Sequence, residues 1–357
     1  MSKPLATLLS LAFATAVAGQ TSEAPPAASS PAAPLPAPAV AIVESLGTSG
    51  QFAFFADEDA SLDHFLYEWA RHENRDKENV FAGRAKIAKA PAAEREAWDR
   101  AVAFYAKEMI SRELGFDSGL VDLRFHLLGL DEYGFTGAAP ERRAAELVAE
   151  LLPSYRRLFW PRHLEAAKAW VKAYLALPRL AEREKSIPAR IAAVFGGGWP
   201  EGRIRVDLSP FASWAGAYTL VYGGAPVATI SSFDPTYQGE AALEMAFHEA
   251  THNRLTIGDF RSAVDAEFSR RNATAPSQLV HAIHFYTVGE IARVEAAKLG
   301  IAYQAAAEKL NLYRGSWAPW RAAIGAHWQP YLEGRGERAA AIAAMVEQLT
   351  VAANPAK

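Results

Sequence analysis

Between about Ser61 and Leu180, apolar residues recur at three- and four-residue steps, the spacing of an α-helix with one face turned to a core. Ser61-Leu62-Asp63 reads as a cap and first turn, followed by Phe65, Leu66 and Trp69. Trp98, Val102, Tyr105 and Met109 mark a second helix over 92–114, with Gly115 where it would end. Two more run from Glu141 to Leu152 and from His163 to Leu177, stopped by Pro153 and Pro178. After Gly196-Gly197-Gly198, read as a flexible link, the period changes. Short β-branched and aromatic runs at 203–208, 217–222 and 227–232 predict strands, the last two joined by a hairpin loop at Gly223-Gly224-Ala225-Pro226. Helical periodicity returns over 240–255 and 277–299 and continues, broken at Gly315, Pro330 and Gly334-Arg335-Gly336. The expected fold is α+β and predominantly helical, with a small antiparallel sheet just before the helix at 240–255.

The first residues have another character. A weakly basic start, an apolar stretch from Leu5 to Ala14 and the triplet Ala16-Val17-Ala18 have the layout of a signal peptide over 1–18, and the Ala/Pro/Ser-rich segment 19–40 that of an extended linker. The expected organisation is therefore a helical region at 41–195 and a region at 196–357 that carries the sheet and C-terminal helices, in an exported protein, periplasmic or secreted. No later apolar run is long enough to cross a bilayer, and a formal charge of -3 gives no electrostatic reason to bind nucleic acid or an anionic membrane surface. Cysteine is absent, so any metal must be held by His, Asp or Glu.

The helix at 240–255 contains the chemistry. His248-Glu249-Ala250-Thr251-His252 is an HExxH pattern: residues four apart lie one turn apart on one helix face, so both imidazoles reach one ion. Glu249 is turned about 100° from His248 and meets water bound to that ion. Glu244, one turn before His248, is a candidate acceptor for a ligand imidazole. The strands directly upstream offer an edge on which an extended peptide could be held by its backbone.

In these features the stretch from about Arg203 to Arg293 resembles the zincin metallopeptidases, in which a small sheet precedes the HExxH helix and a later residue completes the metal site. Leu255 and Gly258 stand where the metzincin branch has Gly and His, which excludes that branch. The gluzincin branch takes its third ligand from a Glu on a downstream helix, and the resemblance points to Glu290 in the segment 285–293. Two departures leave the subfamily open: the wide spacing from His252, and Val294 where an Asp is expected. Glu290 is flanked by apolar residues, and its carboxylate needs a cationic partner, which either Zn²⁺ or Arg293 supplies. His284, His281, Asp259 and Asp265 compete for the third position, and His284 and Glu290, six positions or about 600° apart on one helix, cannot both be ligands.

Such a site implies a zinc-dependent metallopeptidase or peptidase-like amide hydrolase acting on a peptide or protein. Glu249 is its general base, with Tyr286, then His327, as candidate donors to the oxyanion. The competing expectation is a non-catalytic helical periplasmic protein with a structural metal site or a partner-binding role.

Overall fold

The computed structural model describes residues 43–73, 82–113, 117–131, 134–212 and 216–353. The expected signal peptide and linker, and the helix end expected at Gly115, lie outside them.

The described residues begin with two strands, β1 (Val43–Thr48) and β2 (Phe52–Asp57). Seven helices follow: α1 (Glu58–Glu73), α2 (Ala82–Ile87), α3 (Ala92–Glu108), α4 (Ser118–Leu127), α5 (Ala139–Leu158), α6 (Trp160–Leu175) and α7 (Leu180–Phe195). Then come β3 (Ile204–Ser209), β4 (Ala217–Tyr222), β5 (Ala225–Ser231) and α8 (Glu240–Ala250). The remaining helices are α9 (Arg254–Ile257), α10 (Phe260–Arg270), α11 (Leu279–Ala297), α12 (Ala306–Lys309), α13 (Ala318–Ala323), α14 (Gln329–Leu332) and α15 (Arg338–Ala353). A π-helical stretch, Ile324–Trp328, joins α13 to α14.

The fold is α+β and mostly helical, as expected, but the sheet is neither small nor antiparallel. It has five strands in the order β1-β2-β3-β5-β4. The outer pairs β1/β2 and β4/β5 are antiparallel, whereas β2/β3 and β3/β5 are parallel. The local pattern reveals the β4/β5 hairpin, whose turn chemistry is contiguous. It cannot reveal a parallel partner supplied from the far side of seven helices, and no strand was expected at 43–57. Yet β2 alternates as a half-buried strand should: Phe52, Phe54 and Ala56 are inaccessible to solvent.

Asp57 ends β2 and caps α1, its Oδ1 accepting the Ala60 N–H at 2.9 Å, so the helix starts earlier than the expected cap at Ser61. Pro153 does not end its helix, because α5 runs on to Leu158. The turn beyond the proline is pinned from outside: Trp98 donates to Ser154 Oγ at 2.9 Å, and the Tyr155 hydroxyl bonds His163 Nδ1 at 2.7 Å.

One apolar core continues from β2 through α1, α3, α5 and α6 to α8, α11 and α15. Phe52 lies at its centre, edge-on to Tyr174 of α6 and to Phe247 of α8, with ring centroids 6.1 and 5.1 Å away. The helix carrying the HExxH motif is thus packed against the first strand pair, and every α8 residue from Ala241 to Ala250 is buried.

Candidate metal centre

His248 and Glu249 occupy the last turn of α8, and His252 lies two residues past its end. The exit is fixed by side chains. Thr251 Oγ1 donates to the His248 carbonyl at 2.6 Å, and Asn253 donates to the Ala250 carbonyl at 2.7 Å while accepting the Thr256 N–H at 2.9 Å. Gly197 lies against this exit so closely that a Cβ there would stand 2.2 Å from the Thr256 carbonyl oxygen, and the Gly198 N–H donates to the Leu255 carbonyl at 2.8 Å. The triple glycine is therefore a close approach of two backbones rather than a flexible link.

Helix α11 faces α8 across Gly289, where a Cβ would come within 2.7 Å of Ala305 Cβ and 3.1 Å of Glu244 Oε1. This approach brings His281 beside the motif. His248, His252 and His281 each offer one nitrogen, all within 4.8 Å of one another, and among the described residues they form the one cluster suited to a metal ion. The Nε2 atoms of His248 and His252 are 3.2 Å apart. Two imidazoles bound tetrahedrally to zinc with bonds of about 2.0–2.1 Å would hold their nitrogens roughly 3.3 Å apart. The two motif histidines thus already have the spacing of a ligand pair. Phe285 stacks on the His248 ring at 3.9 Å and restrains its plane.

Burial sets the protonation state. It pushes His252 down to about 4 and His281 to about 3, and holds His248 well below the ordinary histidine value; Arg261 adds to the effect on His252 and His281, and neighbouring imidazoles add to it on His281 and His248. The cluster is therefore neutral at neutral pH and presents lone pairs, the state in which histidine binds a metal. Burial acts oppositely on Glu249 and raises its carboxyl to about 7, opposed by a hydrogen bond from Thr219. The Thr219 hydroxyl, on β4, lies 2.7 Å from Glu249 Oε2 and 2.9 Å from the Glu249 carbonyl oxygen.

Most of the remaining sequence candidates lie elsewhere. Glu290 is nine residues after His281, about 900° around the helix and so on its opposite face. Both of its oxygens are engaged, by Arg293 at 2.6 and 2.7 Å, and Gln329 donates to Oε1 at 3.1 Å. The structure thus gives Glu290 the Arg293 ion pair and places His281 with the motif. Tyr286 belongs to the Glu290 side: its hydroxyl donates to Gln329 Oε1 at 2.8 Å, and the Arg321 guanidinium covers its ring at 4.7 Å. His327 bonds Gln348 of α15 at 2.8 Å. Glu244 accepts from the Tyr303 hydroxyl at 2.6 Å and from the Ala306 N–H, tying α8 to the start of α12 rather than orienting a ligand histidine. Asp259 pairs with Arg338 at 2.9 Å. His284 is beside the cluster, with ring centroids 5.6 Å from His248 and 5.0 Å from His252. Thr219 and Phe285 were not anticipated; the signal for α11 was its pair of histidines three residues apart.

No family model matches the chain, and neither a curated protein nor a solved structure matches it.

Proposed function

We propose that the chain is an exported, zinc-dependent metallopeptidase or peptidase-like amide hydrolase, with His248, His252 and His281 as metal ligands and Glu249 as general base. The observation that carries this reading is the convergence of three neutral imidazoles, His248 buried and His252 and His281 half-buried, beside a buried carboxylate whose pKa stands near 7. Zinc bound there would polarise a carbonyl and acidify water. Glu249 takes a proton at its carboxylate and returns it to the departing amine; a group titrating near neutrality does both at little cost. Thr219 fixes the orientation of that carboxylate. It also ties Glu249 to β4, an edge strand of the described sheet, on which an extended peptide could lie. The nitrogen-only ligand set departs from the gluzincin pattern and leaves the subfamily unassigned.

The test is elemental analysis with a peptide-library cleavage screen on the purified chain. Wild type should carry about one zinc per chain. His248→Ala should lose it and Glu290→Ala should keep it. Glu249→Gln should keep the metal and lose cleavage by about 10²–10⁴-fold. A wild type without zinc after refolding in excess metal refutes the reading, and a Glu249→Gln variant as active as wild type moves the metal to a structural role.

A further inference from the structure

His284 remains unexplained by a three-histidine centre. It is 2% exposed, and its Nε2 has no hydrogen-bond partner. A ring nitrogen held away from water without a partner is unfavourable, and such a group in a folded protein calls for whatever satisfies it. Two things are close. Phe195 meets the ring edge to face at 5.0 Å and offers no polar atom. The others are the motif histidines, whose rings lie at 5.0 and 5.6 Å, as near as those of His281, at 5.2 Å from His252 and 5.5 Å from His248.

Helix geometry puts the two α11 histidines on the same side of the helix, although the cluster of nitrogens within 4.8 Å includes only His281. Three residues on an α-helix turn through about 300° and rise about 4.5 Å, so His281 and His284 leave α11 from one face, less than a turn apart. The end of α8 and its exit likewise present His248 and His252 four residues apart. Two pairs of imidazoles therefore face each other across the α8–α11 contact.

We propose that His284 is a fourth imidazole ligand, which makes the centre a four-histidine, all-nitrogen metal site. This rests on the metal-dependent reading above and adds the ligand count and the metal class. A donor set of neutral imidazoles suits zinc, copper and nickel, and disfavours magnesium and calcium, which need oxygen ligands. Four imidazoles would fill a tetrahedral zinc, so the hydrolytic reading would require water to enter as a fifth ligand or one imidazole to give way to it.

The experiment loads the purified full-length chain with Zn²⁺, counts bound imidazoles by X-ray absorption, and measures Zn²⁺ affinity against a chromophoric chelator. It compares wild type, His284→Phe, His281→Ala and the double variant His281→Ala/His284→Phe. Phe keeps a ring against Phe195 but carries no nitrogen, so it separates ligation from packing. The expected result is four imidazoles in wild type and three in His284→Phe, with at least a tenfold loss of affinity. His281→Ala should still bind zinc through His248, His252 and His284, and the double variant should bind far more weakly than either single one. Mg²⁺ and Ca²⁺ should not compete. Three imidazoles in wild type, or wild-type affinity in His284→Phe, overturns the fourth ligand and leaves the three-histidine reading intact. A wild type that binds no zinc overturns both. If His284→Phe fails to fold, the wild-type imidazole count alone decides.

Discussion

Asp57 offers a sharp test of the electrostatics behind the sheet. Its carboxyl is 1% exposed, with Oδ1 accepting the Ala60 N–H at the start of α1 and Oδ2 buried without a partner. Burial, reinforced by the neighbouring Asp207 and Asp59, pushes its pKa from 3.8 to about 7, although Arg205 acts in the other direction. Folded protein therefore keeps a proton on Asp57 through a window, from 3.8 to about 7, in which the unfolded chain has released it. The folded state binds more protons there, so stability is fully present below the unfolded pKa and falls as pH rises through the window. One pKa unit corresponds to about 1.4 kcal/mol, and the slope halves as pH reaches the folded pKa, so the two pH units from about 5 to about 7 remove about 2 kcal/mol of wild-type stability through this group. Asp57→Asn cannot titrate and retains an oxygen to cap α1. Urea unfolding of both proteins between pH 5 and pH 8 should show the variant gaining on wild type as pH rises, by about 2 kcal/mol across those two units and then levelling off. A stability difference independent of pH would refute the argument and mean that Asp57 is ionised in the fold, held by Arg205.

Thr219→Val removes the hydroxyl that favours the ionised form of Glu249. The acid limb of the pH–rate profile should move to higher pH, so activity near pH 6 falls more than activity near pH 8; an unmoved limb would separate Thr219 from the base. Gly289→Ala places a methyl group 2.7 Å from Ala305 Cβ and should cost about 1–3 kcal/mol in thermal or urea unfolding. Adding Ala305→Gly should restore most of that loss, and failure to do so would locate the strain elsewhere. His64, bonded by Tyr218 at 2.8 Å and pushed down by burial to about 4, stays neutral in the fold while the unfolded chain protonates near 6.5. Its contribution is present above pH 6.5 and is lost as pH falls towards 4, so His64→Gln should narrow its stability gap to wild type on acidification, measured by urea unfolding.

What could be read from the chain divides along a physical line. His248, Glu249 and His252 are legible in five contiguous residues, although His252 itself lies past the end of α8, at an exit fixed by Thr251 and Asn253. The third ligand depends on which face of α11 meets α8. That helix is apolar on nearly every side, with twelve of its residues buried, so periodicity does not select a face. The choice is made by Gly289 against Ala305 and Glu244, a contact between segments distant in sequence. Glu290, flanked by apolar residues, had the composition of a buried ligand, but Arg293 on its own helix and Gln329 from beyond it satisfy the carboxylate first. The strands show the same division. The β4/β5 hairpin is local and legible, whereas β1 and β2 have their meaning only once β3 is beside them.

That last pairing also dictates an order of events. Phe52 of β2 aligns with Ile204 of β3, about 150 residues later, so closing this parallel pair carries a large loop entropy and must wait for contacts that reward it. The β4/β5 hairpin and the α8 turn are local and form first. Until β2 arrives, β3 is an unpaired parallel edge, open to any extended segment that reaches it. The N-terminal strands thus seal the sheet late, and the step that buries Phe52 against Phe247 also turns the motif helix from a local structure into a held one.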